Sequence, residues 1–164
     1  MQDDAIVRDF EPADTQACVQ IALAAWAPIF ASFRETMGDE LFSALYPDWQ
    51  KTKEDGVRRG CAGEHGAMVC IAEKDGRAVG FITFHCNHET RVGEIGNNAV
   101  HPDFQNKGIG TRMYQHVFDR MRALGMESVT VSTGGDPSHA PARRAYEKAG
   151  FTIQLPGVEY YRAL

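Results

Sequence analysis

The fold is decided by the stretch Val100-His101-Pro102-Asp103-Phe104-Gln105-Asn106-Lys107-Gly108-Ile109-Gly110-Thr111. An apolar strand ends at Val100, a proline directs the chain out of the sheet, and a glycine-spaced turn opens a helix. The first N–H groups of a helix have no partner within it, and the helix dipole favours an anion at that end. Gly108 and Gly110 lack a Cβ, so a ligand can approach the main chain closely. With Lys107 adding a cation, the stretch predicts a binding site for a pyrophosphate.

The glycine spacing excludes two common pyrophosphate-binding sites. A dinucleotide fingerprint has a third glycine three residues after the second, and Met113 occupies that position here. A nucleotide P-loop has Lys and then Ser or Thr directly after its last glycine, whereas Lys107 precedes both glycines. The pattern that remains is Gln-x-x-Gly-x-Gly, from Gln105 to Gly110.

Length and charge narrow the class of protein. A chain of 164 residues has the size of one domain, so we expect a single domain over residues 1–164. The formal net charge is −5, and the basic residues form no long run. This composition argues against binding to nucleic acid or to an anionic membrane surface.

The cysteines and the N-terminus bear on the compartment. The four cysteines contain no C-x-x-C pair, which predicts free thiols in a reducing cytosol: Cys18, Cys61, Cys70 and Cys86. Residues 1–4 are acidic and no long apolar run follows, so neither a signal peptide nor a transmembrane segment is expected. We therefore expect a cytoplasmic protein.

One histidine–cysteine cluster raises the question of a metal. His85, Cys86 and His88 lie at the end of a predicted strand. Zinc sites of this type need a second ligand pair at similar spacing, and none follows. We therefore expect no metal site.

Hydrophobic periodicity and turn residues predict the elements. We expect a strand over 5–10, a helix that Pro28 interrupts near residue 27, and a helical region over 39–59 broken near Pro47. Strands over 68–73 and 78–84 flank an Asp-Gly hairpin turn, and a third strand runs over 91–100. There follow a helix from the glycine turn to Leu124, a strand over 128–133, a helix over 138–149 and two strands, 151–155 and 158–163. This order predicts an α/β fold with a mixed sheet and helices on its faces.

A second sequence block makes the pattern specific. Residues 142–151, Ala-Arg-Arg-Ala-Tyr-Glu-Lys-Ala-Gly-Phe, follow the glycine turn after one β-α-β unit. The two blocks together resemble the GNAT N-acetyltransferase superfamily, and the resemblance spans nearly the whole chain. It implies a mixed, mostly antiparallel central sheet flanked by helices in a single acetyltransferase domain.

The resemblance also implies the co-substrate and the reaction. Acetyl-CoA would be bound, and a primary amine of a small molecule or an exposed protein amine would attack its thioester directly. The implied cofactor-binding residues are Ala99, Val100, Gln105, Asn106, Lys107, Gly108, Ile109, Gly110, Thr111 and His139. His139 stands where the family often has Asn, so an imidazole would replace the amide contact. Many relatives dimerise, which makes a homodimer an expectation by analogy.

Two residues are the candidates for proton transfer. Tyr146, in the second block, would act as general acid toward the leaving thiolate, since a phenol with a pKa near 10 is protonated at neutral pH. Glu94, on the strand expected to face the thioester, is the first candidate for general base. A bulge near Ala99 and Val100 would aim backbone N–H groups at the developing negative charge.

Several alternatives stay open at this stage. Glu94 also fits a solvent-exposed strand residue with no catalytic role. Tyr146 also fits a role in packing the last helix on the sheet. The second choice for the co-substrate is a longer acyl-CoA. A CoA-binding regulatory module without catalysis is the alternative from a different class.

Overall fold

The computed structural model describes residues 5–162, which form five strands and five α-helices. The strands are β1 Ile6–Asp9, β2 Met68–Lys74, β3 Arg77–Asn87, β4 Val92–Val100 and β5 Ser128–Val131. The helices are α1 Thr15–Met37, α2 Asp39–Leu45, α3 Trp49–Cys61, α4 Ile109–Ala123 and α5 Ala140–Lys148. The acidic segment 1–4 and the last residue of the predicted strand 158–163 lie outside the described residues.

The strands form one mixed sheet in the order β1-β2-β3-β4-β5. The first four strands pair antiparallel, and β5 joins β4 in parallel. Asp75 and Gly76 both have positive φ and form the turn between β2 and β3, as the Asp-Gly signal predicts. The predicted mixed, mostly antiparallel α/β sheet flanked by helices is therefore confirmed.

Helices cover both faces of the sheet because the side chains alternate along each strand. One face packs on α4, with a core that includes Ile82, Phe84, Ile95, Met113 and Val117. The opposite face packs on α1 and α3, with a core that includes Val19, Ile21, Val57, Ile71 and Phe81. The neighbours Phe81 and Ile82 therefore belong to different cores. This alternation also decides which face each polar residue of β4 reaches.

Helix α1 continues about ten residues past its predicted end, since Pro28 lies inside it. The prediction of a break was wrong because packing outweighs the missing backbone hydrogen bond. Phe30 stacks on Trp49 with ring centroids 4.3 Å apart, and Phe33 lies 5.9 Å from Tyr46. These contacts hold the second half of α1 against α2 and α3.

The longer helix also changes the expectation about membrane-spanning segments. Pro12–Met37, which includes the 3-10 turn before α1, is long and apolar enough to cross a membrane by length and composition. The expectation that no stretch reaches that length was wrong, because the helix continues through Pro28 to Met37. A core helix passes the same test, and Cys18, Val19 and Ile21 of this helix pack on the sheet.

The C-terminal segment differs from its prediction. Strand β5 ends at Val131, short of residue 133, and no strand follows it within the described residues up to 162. The expected strands over 151–155 and 158–162 are therefore absent. Ile153 and Leu155 are 88% and 95% exposed. Alternating apolar residues stabilise a strand only where one face is buried against a partner, and this segment has none here.

Candidate active site

The sheet opens between β4 and β5. Parallel pairing runs from Val92 opposite Ser128 to Ile95 opposite Val131, where β5 ends, while β4 continues to Val100. Residues 96–100 therefore have β3 on one side and no strand on the other within the described residues. Peptide groups that face this opening are free to bind an extended ligand.

A β-bulge lies at the start of the opening. Ile95 pairs with Phe84 and Asn98 pairs with Ile82, so Gly96 and Asn97 together stand opposite the single residue Thr83. The buried Thr83 hydroxyl donates to the Asn97 carbonyl at 3.1 Å. A Cβ on Gly96 would lie 2.6 Å from that hydroxyl, so the bulge requires glycine. The bulge thus precedes the expected position near Ala99 and Val100.

The direction of the peptide groups beyond the bulge follows from the pairing with β3. The His101 N–H donates to the Val79 carbonyl at 2.8 Å. Since antiparallel pairs alternate between bonded and non-bonded, the peptide groups of Ala99 also face β3, and those of Asn98 and Val100 face the opening. The Val100 carbonyl accepts a bond from Gln105 Nε2 at 2.9 Å, which agrees with this direction.

The turn after β4 is held by its own side chains. A 3-10 turn, Pro102–Phe104, follows His101, and Lys107 Nζ donates to the Asp103 carbonyl at 2.8 Å. Asn106 has φ +62°, a left-handed conformation that asparagine tolerates better than most residues. Gly108, with φ +79°, precedes the first residue of α4, as the sequence predicts.

The backbone N–H groups of residues 106–111 are free of intramolecular bonds within the described chain. They lie at the N-terminus of the fifteen-residue helix α4, where the dipole favours an anion. Gly110 needs no special φ, and a Cβ placed on it would meet nothing closer than 4.0 Å. The space above Gly110 is therefore open to a ligand. Ile109 is buried in the core and anchors the turn.

Tyr146 of α5 reaches the opening through Asn98. Asn98 Nδ2 donates to the Tyr146 hydroxyl oxygen at 3.2 Å, and Asn98 Oδ1 accepts from the Tyr114 hydroxyl at 2.7 Å. The two tyrosine rings meet edge to face, with centroids 5.7 Å apart. Because the Tyr146 oxygen accepts from Asn98, its own proton remains available to donate.

Burial keeps this phenol protonated. Tyr146 is 8% exposed, and desolvation raises its pKa above the ordinary value, although the bonds from Asn98 and Tyr114 act in the opposite direction. Desolvation also raises the pKa of Tyr114. Tyr146 is therefore a neutral proton donor across the physiological pH range.

Glu94 lies on the other face of β4. A Cβ added to Gly93 would contact Met121 of α4, and Ile95 belongs to the core under α4. Because side chains alternate along a strand, the side chain of Glu94 between them faces α1 and α3. Glu94 is exposed, and its carboxylate has no hydrogen bond or ion pair within the described residues. The structure does not join it to Tyr146 by any contact, and the two residues face opposite sides of the strand.

His139 is held by a carboxylate just before α5. Its Nδ1 lies 2.5 Å from Asp136 Oδ2, and its ring centroid lies 5.9 Å from that of Phe33 in α1. Hydrogen bonds from Ser138 and His139 lower the pKa of Asp136 against the effect of burial. Arg143 donates to the Gly134 and Asp136 carbonyls at 2.6 and 2.8 Å, which fixes the same loop.

Lys53 of α3 is the residue that the sequence analysis missed on the face of Glu94. Its Nζ lies 4.0 Å from the ring centroid of Trp26 and 3.3 Å from Asn97 Oδ1 in the bulge. Burial lowers the pKa of the Lys53 ammonium to about 8. Neither Lys53 nor Asn97 belongs to a motif, because residues far apart in sequence form the contact.

One group outside this site resembles a metal-binding cluster. Ligand atoms of Asp9, Cys70 and His116 lie within 4.8 Å of one another. Arg120 donates to Asp9 and, at 3.5 Å, to the Cys70 thiol, so a guanidinium already contacts two of the three groups. The expectation of no metal site stays a prediction.

Comparison with known proteins agrees with this architecture. The model of the Acetyltransferase (GNAT) family matches residues 27–151. The chain belongs to the GNAT acetyltransferase family. The matched range includes the bulge, the glycine turn and most of the helices that surround the opening.

Two curated relatives align with part of this GNAT chain. An uncharacterised N-acetyltransferase of Bacillus subtilis is 32% identical over 72 residues, 44% of this chain and 48% of that protein. A mycothiol acetyltransferase of Sanguibacter keddieii is 38% identical over 97 residues, 56% of this chain and 30% of that protein. The aligned part of the chain thus spans less than half the length of either relative.

A solved structure shows the same GNAT fold. It is the PaiA N-acetyltransferase of Thermoplasma acidophilum, in complex with coenzyme A, with a TM-score of 0.72 at 16% identity. The likeness covers 92% of this chain and 91% of that one.

Replacing Gly110 tests the open space at the helix N-terminus. Gly110→Val should weaken coenzyme A binding at least about tenfold, because the added side chain fills the space through which a ligand reaches the backbone N–H groups. Isothermal titration calorimetry measures the affinity. Gly56→Val in α3 is the matched control, since its Cβ position is equally open. Equal affinity in wild type and Gly110→Val would contradict the assignment.

Replacing Lys53 tests the cost of its burial. The folded-state pKa near 8 lies below the unfolded value of 10.5, so the native state binds fewer protons between these pH values and stability rises with pH across this window. At pH 7 the full cost is present, and Lys53→Met should raise the free energy of unfolding by about 1–3 kcal/mol. Urea unfolding at pH 7 and pH 10 measures the difference, which should shrink at the higher pH.

The control is Lys51→Met, since Lys51 is 60% exposed and ion-paired with Asp55 on the same helix. This variant should leave stability nearly unchanged at both pH values. A Lys53→Met protein that is less stable than wild type at pH 7 would show that the ammonium stabilises the fold.

Proposed function

We propose that this protein is an acetyl-CoA-dependent N-acetyltransferase that transfers the acetyl group directly to a primary amine. The acceptor is the amine of a small molecule or an exposed amine of a protein. The observation that carries the proposal is the contact of the Tyr146 hydroxyl with Asn98 at the opening of the sheet. A neutral phenol beside an unpaired strand edge is suited to protonating a leaving thiolate.

The co-substrate fits the opening and the turn. The free N–H groups of residues 106–111 would bind the pyrophosphate of CoA, and the peptide groups of Asn98 would pair with its pantetheine arm, which would lie beside Val100. The coenzyme A complex of the PaiA neighbour supports a CoA ligand for this fold. Bound acetyl-CoA supplies the thioester from which the acetyl group is transferred.

Proton transfer is divided between the two faces of β4. A lysine-like amine costs roughly 4–5 kcal/mol to deprotonate at pH 7, so a base must accept its proton. Glu94 is our candidate, since its carboxylate is exposed on the face opposite Tyr146 and has no competing partner in the described chain. Tyr146 donates its own proton to the departing sulfur.

Backbone N–H groups stabilise the charge that develops on the thioester oxygen. Antiparallel alternation directs the Val100 N–H into the opening and the Ala99 N–H toward β3. We therefore assign the stabilisation of the thioester oxygen to the Val100 N–H. The Ala99 peptide groups pair with β3 and hold the strand in place. His139, fixed by Asp136, borders the same region from the loop before α5.

The alternatives differ from this proposal in what they require of Tyr146. A CoA-binding regulatory module needs the turn of residues 106–111 but no buried phenol aimed at the opening. Two buried tyrosines are joined through the half-buried Asn98 at the opening, an arrangement that CoA binding alone does not require, which favours the enzyme. A longer acyl-CoA would bind at the same turn and would use Tyr146 as the same general acid.

Further proposals concern the oligomeric state, the partners and the cellular location. A homodimer is supported by the exposed apolar side chains of Ile153, Leu155 and Val158. The net charge of −5 supports a partner other than nucleic acid. We propose a cytoplasmic location and no stable membrane association.

Tyr146→Phe tests the role of the phenol. The substitution removes the donated proton and keeps the ring packing, so kcat should fall about 10²–10⁴-fold while the affinity for coenzyme A stays within about twofold. Thiol release from acetyl-CoA, measured across a panel of primary amines, gives the rates. Tyr160→Phe is the control, because Tyr160 is 92% exposed.

Three results would count against the proposal or part of it. Equal turnover in wild type and Tyr146→Phe would remove Tyr146 from the mechanism. Tight coenzyme A binding without turnover of any amine would favour the regulatory module. Faster turnover with a longer acyl-CoA than with acetyl-CoA would favour the other acyl donor.

A further inference from the structure

Lys53 is a half-buried cation that has no anionic partner among the residues that the structure describes. Within residues 5–162 its Nζ contacts only the neutral Asn97 amide and the Trp26 ring. An ammonium removed from water is costly unless an anion or a hydrogen-bond network compensates it. A single amide oxygen at 3.3 Å and one aromatic face leave most of that requirement unmet.

The position of Lys53 relates it to the acyl-transfer site. Asn97, which it contacts, and Asn98, which contacts Tyr146, are adjacent residues of β4 whose side chains leave opposite faces of the strand. The Lys53 ammonium and the Tyr146 phenol therefore approach the same point of the sheet opening from its two sides. Glu94, three residues before Asn97, lies on the side of Lys53.

Glu94 and Lys53 do not form an ion pair with each other. Two opposite charges on one face, each without a partner, complement a ligand that carries both an amine and an anion. The amine is attracted to Glu94, where the proposed base is, and the anion is attracted to Lys53. The flat ring of Trp26 beside Lys53 adds an apolar wall that lowers the local dielectric and strengthens the attraction.

We propose that Lys53 binds a carboxylate carried by the acceptor, so that the preferred substrates are amino acids or related amines bearing a carboxylate near the reacting amine. This inference rests on the proposed acetyl transfer and specifies its acceptor. Lys53 acts in recognition and takes no part in proton transfer.

Other lysines of the chain show what an ordinary surface lysine looks like here. Lys51, two residues earlier on α3, is 60% exposed and pairs with Asp55. Lys107 donates to a backbone carbonyl in the glycine turn. Within residues 5–162, Lys53 differs from both in being half-buried and in having neither a carboxylate nor a backbone carbonyl as its partner.

The experiment compares acceptors that differ only in the carboxylate. L-Phenylalanine, L-phenylalaninamide and phenethylamine form one matched set, and L-lysine and cadaverine form another. Acetylation rates are measured with wild type, Lys53→Gln, Lys53→Arg and Lys51→Gln. In wild type, kcat/KM should be at least about tenfold higher for the carboxylate member of at least one set.

Lys53→Gln should reduce that ratio to about one by raising KM for the acid and leaving the rate with the matched amine nearly unchanged. Lys53→Arg should retain most of the preference, since it keeps the charge, and Lys51→Gln should retain all of it. An equal preference in wild type and Lys53→Gln, or a wild-type preference for amines without a carboxylate, would overturn the proposal.

A binding measurement separates this proposal from the one on which it rests. Calorimetric titration of L-phenylalanine and of its amide into the protein with coenzyme A reports recognition without catalysis. If Lys53→Gln binds L-phenylalanine more weakly than wild type does, the carboxylate site is supported even if no amine is acetylated. A failure to acetylate any amine would count only against acetyl transfer. Turnover of amines with no difference in binding between acid and amide would overturn the carboxylate site alone.

Discussion

The parting of β4 from β5 after Ile95 is the constraint on which the rest of the structure depends. Strand β5 stops at Val131, and the bulge at Gly96 and Asn97 changes the direction of β4 immediately afterwards. Peptide groups at Asn98 and Val100 have no neighbouring strand on that side within residues 5–162, which costs free energy unless a ligand or water replaces it. The same strand then delivers the chain to the turn whose free N–H groups begin α4. One departure from regular pairing thus lies between both halves of the proposed ligand site.

The polar residues around the opening are expensive to keep, and their cost points to function. Tyr114 and Tyr146 lie inside an otherwise apolar core, and the half-buried Asn98 connects them by hydrogen bonds. On the opposite face, the half-buried Lys53 ammonium lies between the Trp26 ring and the Asn97 amide, and burial lowers its pKa. A sequence selected for stability alone would place hydrocarbon side chains at such positions. Functional sites are where such local conflicts are expected.

Local signals in the sequence were sufficient for the four antiparallel strands, for α4 and for the turn before it. The Gln-x-x-Gly-x-Gly pattern and the Asp-Gly hairpin depend on backbone conformations that few residues adopt, so they are readable one segment at a time. The predicted helix break at Pro28 was wrong, because aromatic packing of α1 against α2 and α3 outweighs the backbone hydrogen bond that proline cannot donate. The C-terminal strands were expected from alternation alone, which is insufficient without a partner. The bulge, the role of Asn98 and the contact of Lys53 with Asn97 all arise between distant segments, where a single sequence carries no signal.

The most direct test of the account is the change in backbone amide NMR signals on adding coenzyme A and its fragments. Coenzyme A should shift the amides of Asn98, Val100 and residues 106–111. Pantetheine alone should shift Asn98 and Val100, and adenosine 3′-phosphate 5′-diphosphate should shift only residues 106–111. The amide of Ala99, which faces β3, should move least along this part of the strand. Shifts confined to another surface, or no shift at saturating coenzyme A, would contradict the claim that this opening and turn hold the co-substrate.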